Sequence, residues 1–198
     1  MSFDKRASTW DASSRRQELA KAVADKIKSS GLLNPGISLL DVGAGTGLLA
    51  RRLLPYVAKI TGVDSSKGMI DEFSKIGENA VAIHSDILEY DSTSLYGGIV
   101  SSMTMHHIED IDALFAKLFS LLEPGGFITM ADLEKEDGSF HDGGNEGVYH
   151  FGFDEESLKA ALLKAGFEKI SLERVYEVEK EKRSYPVFLL TARKPDGR

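Results

Sequence analysis

The chain has 198 residues, a formal net charge of −7, no cysteine, and 42% hydrophobic against 28% charged residues. This length supports one domain with a sizeable core, and the missing thiols exclude disulfides, cysteine-based metal sites and covalent cysteine catalysis. The acidic balance argues against a nucleic-acid substrate, whose phosphates need Lys and Arg, while the lack of a long apolar run and the charged start Met1–Arg6 predict a cytoplasmic protein without a membrane span or secretion signal.

In chain order, residues 1–30 read as an N-terminal cap segment and helix. The polar stretch Ser8-Thr9-Trp10-Asp11 carries the only tryptophan and is expected to be a mobile start. An amphipathic helix follows, in which Leu19, Val23 and Ile27 recur at four-residue steps and which ends near Ser29-Ser30-Gly31. An apolar strand over Ser38–Val42 contains Asp41 and runs directly into Gly43-Ala44-Gly45-Thr46-Gly47. Glycine permits the positive φ and close backbone approach of a sharp strand-to-helix turn with exposed amides, so this turn is expected to hold a ligand. The spacing is neither GxxxxGK(S/T) nor GxGxxG, because the third glycine comes one residue early. A carboxylate beside the loop would repel a pyrophosphate and suit a ligand carrying positive charge.

A second strand, Lys59–Asp64, also ends in an acid, about 20 residues beyond the first glycine, where nucleotide-binding α/β folds set a carboxylate against ribose hydroxyls. A helix opens over Ser65–Met69. A third strand, Ala80–His84, leads into Ser85-Asp86-Ile87, and a fourth lies near Gly98–Ser102. Ile111, Leu114, Phe115, Leu118, Leu121 and Leu122 form a buried helical stripe, broken by Glu123-Pro124-Gly125-Gly126 before a fifth strand at Phe127–Ala131. Residues 132–152 form an insertion rich in glycine, aromatic and titratable side chains. Asp154 caps the next helix, with Phe153 and Leu158 as a hydrophobic staple and Gly166 at its close. Residues 167–178 and 185–192 read as a hairpin of two final strands, and Lys180-Glu181-Lys182-Arg183 between them as a solvated element end. Alternating strands and helices imply a parallel sheet covered on both faces.

The glycine turn, the acids at three strand ends and the Leu122-Glu123-Pro124-Gly125-Gly126-Phe127 junction together resemble the motifs of the class I S-adenosylmethionine-dependent methyltransferases over about residues 36–193. The resemblance implies a single domain over 1–198 with a Rossmann-like α/β sheet of order 3-2-1-4-5-7-6, strand seven antiparallel and helices on both faces. It implies S-adenosylmethionine as cofactor and S-adenosylhomocysteine as product. By the same resemblance, Asp41 organises the loop and the cofactor's ammonium through main-chain groups, while Gly43, Ala44, Gly45, Thr46 and Gly47 approach its methionine part. Asp64, with Ser65 beside it, holds the ribose, and Met69 packs on adenine. Asp86 accepts the adenine amino group, Ile87 donates a main-chain NH, and Ser102 offers its carbonyl to the ammonium. The start, Phe3-Asp4 with Ala7 and Trp10-Asp11, is similar to that of small family members that fold this segment over the cofactor, where Arg16 can pair with its carboxylate. Docking of the terminus by Trp10 is the other reading.

Methyl transfer needs geometry more than side-chain chemistry, so acceptor residues are expected on loops at the carboxyl ends of strands. His106-His107 offers His107 as a base near neutrality; alternatively one histidine packs on the sheet edge while the other lines the pocket. Metal binding is the weaker alternative and no metal is expected, because adjacent histidines need further ligands and the resemblance implies a metal-free pair. The insertion 132–152 reads as an active-site lid, with Tyr149 and His150 as catalytic candidates and Phe151 as a wall. The predicted function is methyl transfer to a small-molecule acceptor. Its rivals are an NAD-dependent oxidoreductase, disfavoured by Asp41 and the early third glycine, and a non-catalytic S-adenosylmethionine-binding regulatory module.

Overall fold

Leu39 and Leu40 are both fully buried, yet they belong to two different cores. Successive side chains of a strand point to opposite faces, so the continuous apolar run of β1 (Ser38–Val42) needs cover on both sides. The structure, a computed structural model, describes residues 3–180 and 183–197. Met1, Ser2, Glu181, Lys182 and Arg198, which belong to the predicted start, basic group and domain end, lie outside the described residues.

β1 pairs in parallel with β2 (Lys59–Asp64) and β4 (Tyr96–Ser102), β2 with β3 (Ala80–His84), and β4 with β5 (Leu122–Leu133). β7 (Arg183–Arg193) runs antiparallel to both β5 and β6 (Glu168–Lys180). The result is a seven-stranded sheet of order β3-β2-β1-β4-β5-β7-β6, as the resemblance implied.

Helices α1 (Ser14–Ser29), α2 (Ala50–Leu53) and α3 (Lys67–Phe73) cover one face, where Leu19, Val23 and Ile27 meet Leu39, Ile60 and Phe127. Helices α4 (Ile111–Leu121) and α5 (Glu155–Ala165) cover the other, where Leu114, Phe115, Leu118 and Leu162 meet Leu40, Ile99 and Ile128. Each such buried side chain contributes about 1.5–3 kcal/mol of transfer free energy. The helices start where side chains cap them: Asp110 accepts from the Ala113 amide and Asp154 from the Ser157 amide, each at 2.8 Å. Gly166 ends α5 with φ +98°.

Two local expectations are corrected, at the start and at Leu122, and the helix expected after the glycine turn is present. The mobile start is a 3-10 segment, Phe3–Ala12, fastened near both ends. Asp4 Oδ1 accepts from Ser66 Oγ (2.7 Å) and the Gly68 amide (2.8 Å), and Asp11 accepts from Thr46 Oγ1 and Arg51. The helix after the glycine turn is a single turn, because Pro55 diverts the chain into a 3-10 turn over Leu54–Tyr56. Leu122 begins β5 and does not belong to the helical stripe; the strand continues through Glu123–Gly126, with a register shift between Tyr96 and Gly98 opposite. Among the described residues, no helix is long and apolar enough to cross a membrane.

Candidate functional site

The strand order reverses between the parallel neighbours β1 and β4, so the connections leaving these strands diverge and open a crevice at their carboxyl ends. A cavity of about 460 Å³ lies there. Asp41, at the end of β1, is 2% exposed and its Oδ2 has no hydrogen-bond partner. Burial, and then the nearby charge of Asp64, pushes its pKa up to about 8. Asp64 bridges two loops, accepting from the Gly45 amide on Oδ2 and from the Ser66 amide on Oδ1, both at 2.8 Å. Burial raises its pKa, while those two amides act in the opposite sense.

The glycines of the turn differ in purpose. Gly45 sits at φ +54°, and a Cβ added there would meet nothing within 4 Å. A Cβ on Gly47 would lie 2.3 Å from Ile76 Cδ1 and 3.0 Å from Phe73 Cδ2. Gly45 therefore leaves room toward the cavity, whereas Gly47 lets α3 pack close. Every residue predicted to bind the cofactor lines the cavity except Gly47, which packs against Ile76 and Phe73. The Gly43 and Ala44 amides are occupied by the Val63 carbonyl (2.9 and 3.1 Å), so these two residues supply shape and not donors. Asp86 Oδ1 accepts from the Leu88 amide at 2.8 Å, and the Ser102 carbonyl accepts from Thr104 Oγ1 at 3.3 Å.

The 3-10 segment forms one side of the cavity. The Arg16 guanidinium lies 3.6 Å from the Trp10 ring centroid and donates from Nη1 to the Trp10 carbonyl at 3.2 Å. Burial, followed by the charges of Arg6 and Arg15, lowers the Arg16 pKa. All three arginines line the cavity, a rim suited to a carboxylate.

A wall of histidines closes the other side. Met103, just past β4, holds φ +59°, a conformation that bulky residues rarely adopt, and turns the chain into the 3-10 turn Met105–His107. His106 is 2% exposed, with Nδ1 2.7 Å from Asp132 Oδ1. His107 Nδ1 lies 2.7 Å from the Gly147 carbonyl, and burial, then neighbouring His106, lowers its pKa. His141 comes from the insertion and joins them; burial foremost, then His106 and His107, takes its pKa down to about 4.

The structure does not bring Tyr149 and His150 to this cavity. Their amides donate to the His106 carbonyl (3.0 and 3.3 Å), and Tyr149 is 55% exposed. His150 Nε2 faces the carbonyls of Ile108 and Glu109, while its ring packs 5.1 Å from that of Phe153. Together with Phe151 they line a neighbouring groove of about 1190 Å³ that shares Asp86, His107 and Ile108 with the cavity. Within the cavity itself the insertion contributes Phe140, His141 and Val148. Asp132 was missed, although it repeats the pattern of the other site acids: a lone carboxylate near the end of the apolar strand β5.

A methyltransferase-domain family model matches residues 12–172. An uncharacterized methyltransferase of Schizosaccharomyces pombe is 35% identical over 119 residues, covering 54% of this chain and 42% of that protein. A malonyl-acyl-carrier-protein O-methyltransferase of Priestia megaterium is 33% identical over 134 residues, covering 65% of this chain and 48% of that protein. The chain thus spans less than half the length of these curated relatives. In fold it is similar to the DhpI–SAH complex, with a TM-score of 0.77 at 20% identity over 99% of this chain and 94% of that one.

Proposed function

The chain belongs to the class I S-adenosylmethionine-dependent methyltransferases, and from that premise we propose that its cavity binds S-adenosylmethionine and directs its methyl group to a small-molecule acceptor. The observation that carries this reading is the buried Asp41 carboxylate, with an unpartnered oxygen beside the glycine turn. A buried carboxylate without a partner is strongly disfavoured, and a ligand bringing an ammonium and a sulfonium offsets it. The open side of Gly45 supports the same fit. When bound, the cofactor supplies an electrophilic methyl carbon on a cationic sulfur.

The chain's own residues bind, orient and exclude water. After accepting from Gly45 and Ser66, each oxygen of Asp64 keeps a lone pair, enough for two ribose hydroxyls. Arg16 offers its guanidinium to the cofactor's carboxylate, with Trp10 stacked on it as cover. Met69 packs on the base, Asp86 and the Ile87 main chain take its edge, and the Ser102 carbonyl meets the ammonium. His107 presents its Nδ1–H to the Gly147 carbonyl, which leaves a lone pair on Nε2 to take a proton from the acceptor. A small acceptor is supported by the cavity's size and by its placement between the 3-10 segment and the insertion. Calorimetric titration with S-adenosylhomocysteine and with NADH tests the cofactor. Binding of the first without the second is expected, and the reverse would overturn the reading. Acceptors are then screened by release of S-adenosylhomocysteine.

A further inference from the structure

Three imidazoles meet at one end of the cavity, more than proton transfer by a single base requires. His106 and His107 come from the turn after β4 and His141 from the insertion; one ring nitrogen of each lies within 4.8 Å of the other two. Their ring centroids are 4.1, 5.2 and 5.7 Å apart.

The hydrogen bonds around two of the rings determine which nitrogen is free. Asp132 Oδ1 sits 2.7 Å from His106 Nδ1, and its Oδ2 accepts from the His106 amide at 3.2 Å. A carboxylate accepts, so Nδ1 carries the hydrogen and Nε2 the lone pair. The Gly147 carbonyl, 2.7 Å from His107 Nδ1, imposes the same tautomer there. His141 Nδ1 is buried without a hydrogen-bond partner. A carboxylate or a main-chain carbonyl on the far nitrogen is how proteins orient metal-ligating histidines.

We infer that His106, His107 and His141 bind a divalent transition-metal ion of the zinc type, with Asp132 and the Gly147 carbonyl as the outer partners that aim two of the rings. Imidazole favours zinc, iron, nickel or copper, whereas magnesium and calcium prefer oxygen ligands. A tetrahedral ion with bonds of about 2.0–2.1 Å sets its nitrogens about 3.4 Å apart. From a limit of 4.8 Å, the rings need to close by about 1.5 Å at most, which a rotation of the His141 side chain supplies while Lys180 holds its neighbours Phe140 and Asp142. Three protein ligands leave a fourth position in the cavity shared with Asp41 and Gly45. On the methyl-transfer reading, that position takes a hydroxyl or other oxygen group of the acceptor, and with the ion bound the His107 Nε2 lone pair ligates it in place of acting as the free base.

The test uses the full chain, stripped with chelator and titrated with zinc(II) against a chromophoric competitor, then with cobalt(II) to read coordination from its visible bands. One ion per chain is expected, with cobalt bands of a four-coordinate site. His141→Ala, on the insertion, is expected to weaken zinc binding at least about 100-fold, and Asp132→Asn by about 10–100-fold. His107→Gln serves as a second ligand variant that keeps the buried His106–Asp132 pair. Absence of stoichiometric zinc, or affinity unchanged in both His141→Ala and His107→Gln, would overturn the site and leave a metal-free histidine wall. Titration of S-adenosylhomocysteine into the metal-free chain separates the two readings: cofactor binding without zinc binding refutes the metal alone, and zinc binding without cofactor binding refutes the cofactor alone.

Discussion

Asp41 couples cofactor binding to protons. In the ligand-free protein its pKa stands at about 8, against 3.8 for an ordinary aspartate, so near neutrality the carboxyl holds its proton. The folded value is raised, so the folded state binds more protons than the unfolded one between these limits. Asp41's contribution to the stability of the ligand-free protein is therefore fully present below pH 3.8 and is lost as pH rises toward about 8. An ammonium docking beside the carboxyl favours the ionised form, so binding expels the proton. At pH 6.5 nearly one proton is expected to leave per ligand bound. Affinity for S-adenosylhomocysteine is expected to rise up to about tenfold per pH unit, about 1.4 kcal/mol, from roughly pH 5.5 to 7.5. Titration calorimetry in two buffers of different ionisation enthalpy counts the protons directly. Asp41→Asn should abolish both the release and the slope, which isolates Asp41 from His107; His141, held at about 4, is silent across most of this range. A proton count near zero with affinity flat across the range would refute the ion-pairing role of Asp41.

Asp64→Ala removes the acceptor for Gly45 and Ser66 and is expected to weaken S-adenosylmethionine binding by about 1–3 kcal/mol, with unchanged affinity in a folded variant removing it from the ribose role. Gly45→Ala and Gly47→Ala should separate binding from folding. The first carries only the left-handed backbone strain at φ +54°, about 1–2 kcal/mol, and loses cofactor affinity, while the second, with like strain at φ +87°, loses a further about 1–3 kcal/mol through overlap with Ile76 and Phe73. Matching losses of both properties in the two variants would show that the turn has one purpose. Phe115→Ala, in the fully buried stripe of α4, should cost about 3–5 kcal/mol in denaturant unfolding, and a loss below 1 kcal/mol would place Phe115 outside the core.

The ends of β1 and β2 were readable because their apolar runs stop at a glycine and at an acid, and that of β3 because its run stops at the polar His84-Ser85-Asp86. All three strands begin and end at the residues expected. That the start folds over the cavity was implied by the resemblance, but the residues that fasten it were not readable. Asp4 and Asp11 look like ordinary polar residues of a terminus, and their partners Ser66 and Thr46 stand 62 and 35 residues away. The close packing of Gly47 was not readable, because a glycine needed against Phe73 has the same letter as one needed for a ligand. Composition identified the insertion as unusual, but the way its backbone hangs from the His106 carbonyl decides that His141 turns inward and that Tyr149 and His150 turn away. That contact joins residues separated by a strand and a helix, and no local pattern encodes it.

The apolar stripe of α1 packs in one core with Val178, Tyr185 and Val187 of the final hairpin, and Lys26 pairs with Glu173 at 2.7 Å. A helix made among the first 30 residues thus waits for strands made among the last 30 before its greasy side is fully covered. During synthesis the part of that stripe that β1, β2 and β5 leave uncovered stays exposed, and aggregation and chaperone capture compete with folding until the hairpin emerges. Val178 and Lys180 also line the cavity. The same late event that hides α1 therefore completes the binding site, so a chain stopped before β6 lacks a finished cavity as well as a finished core.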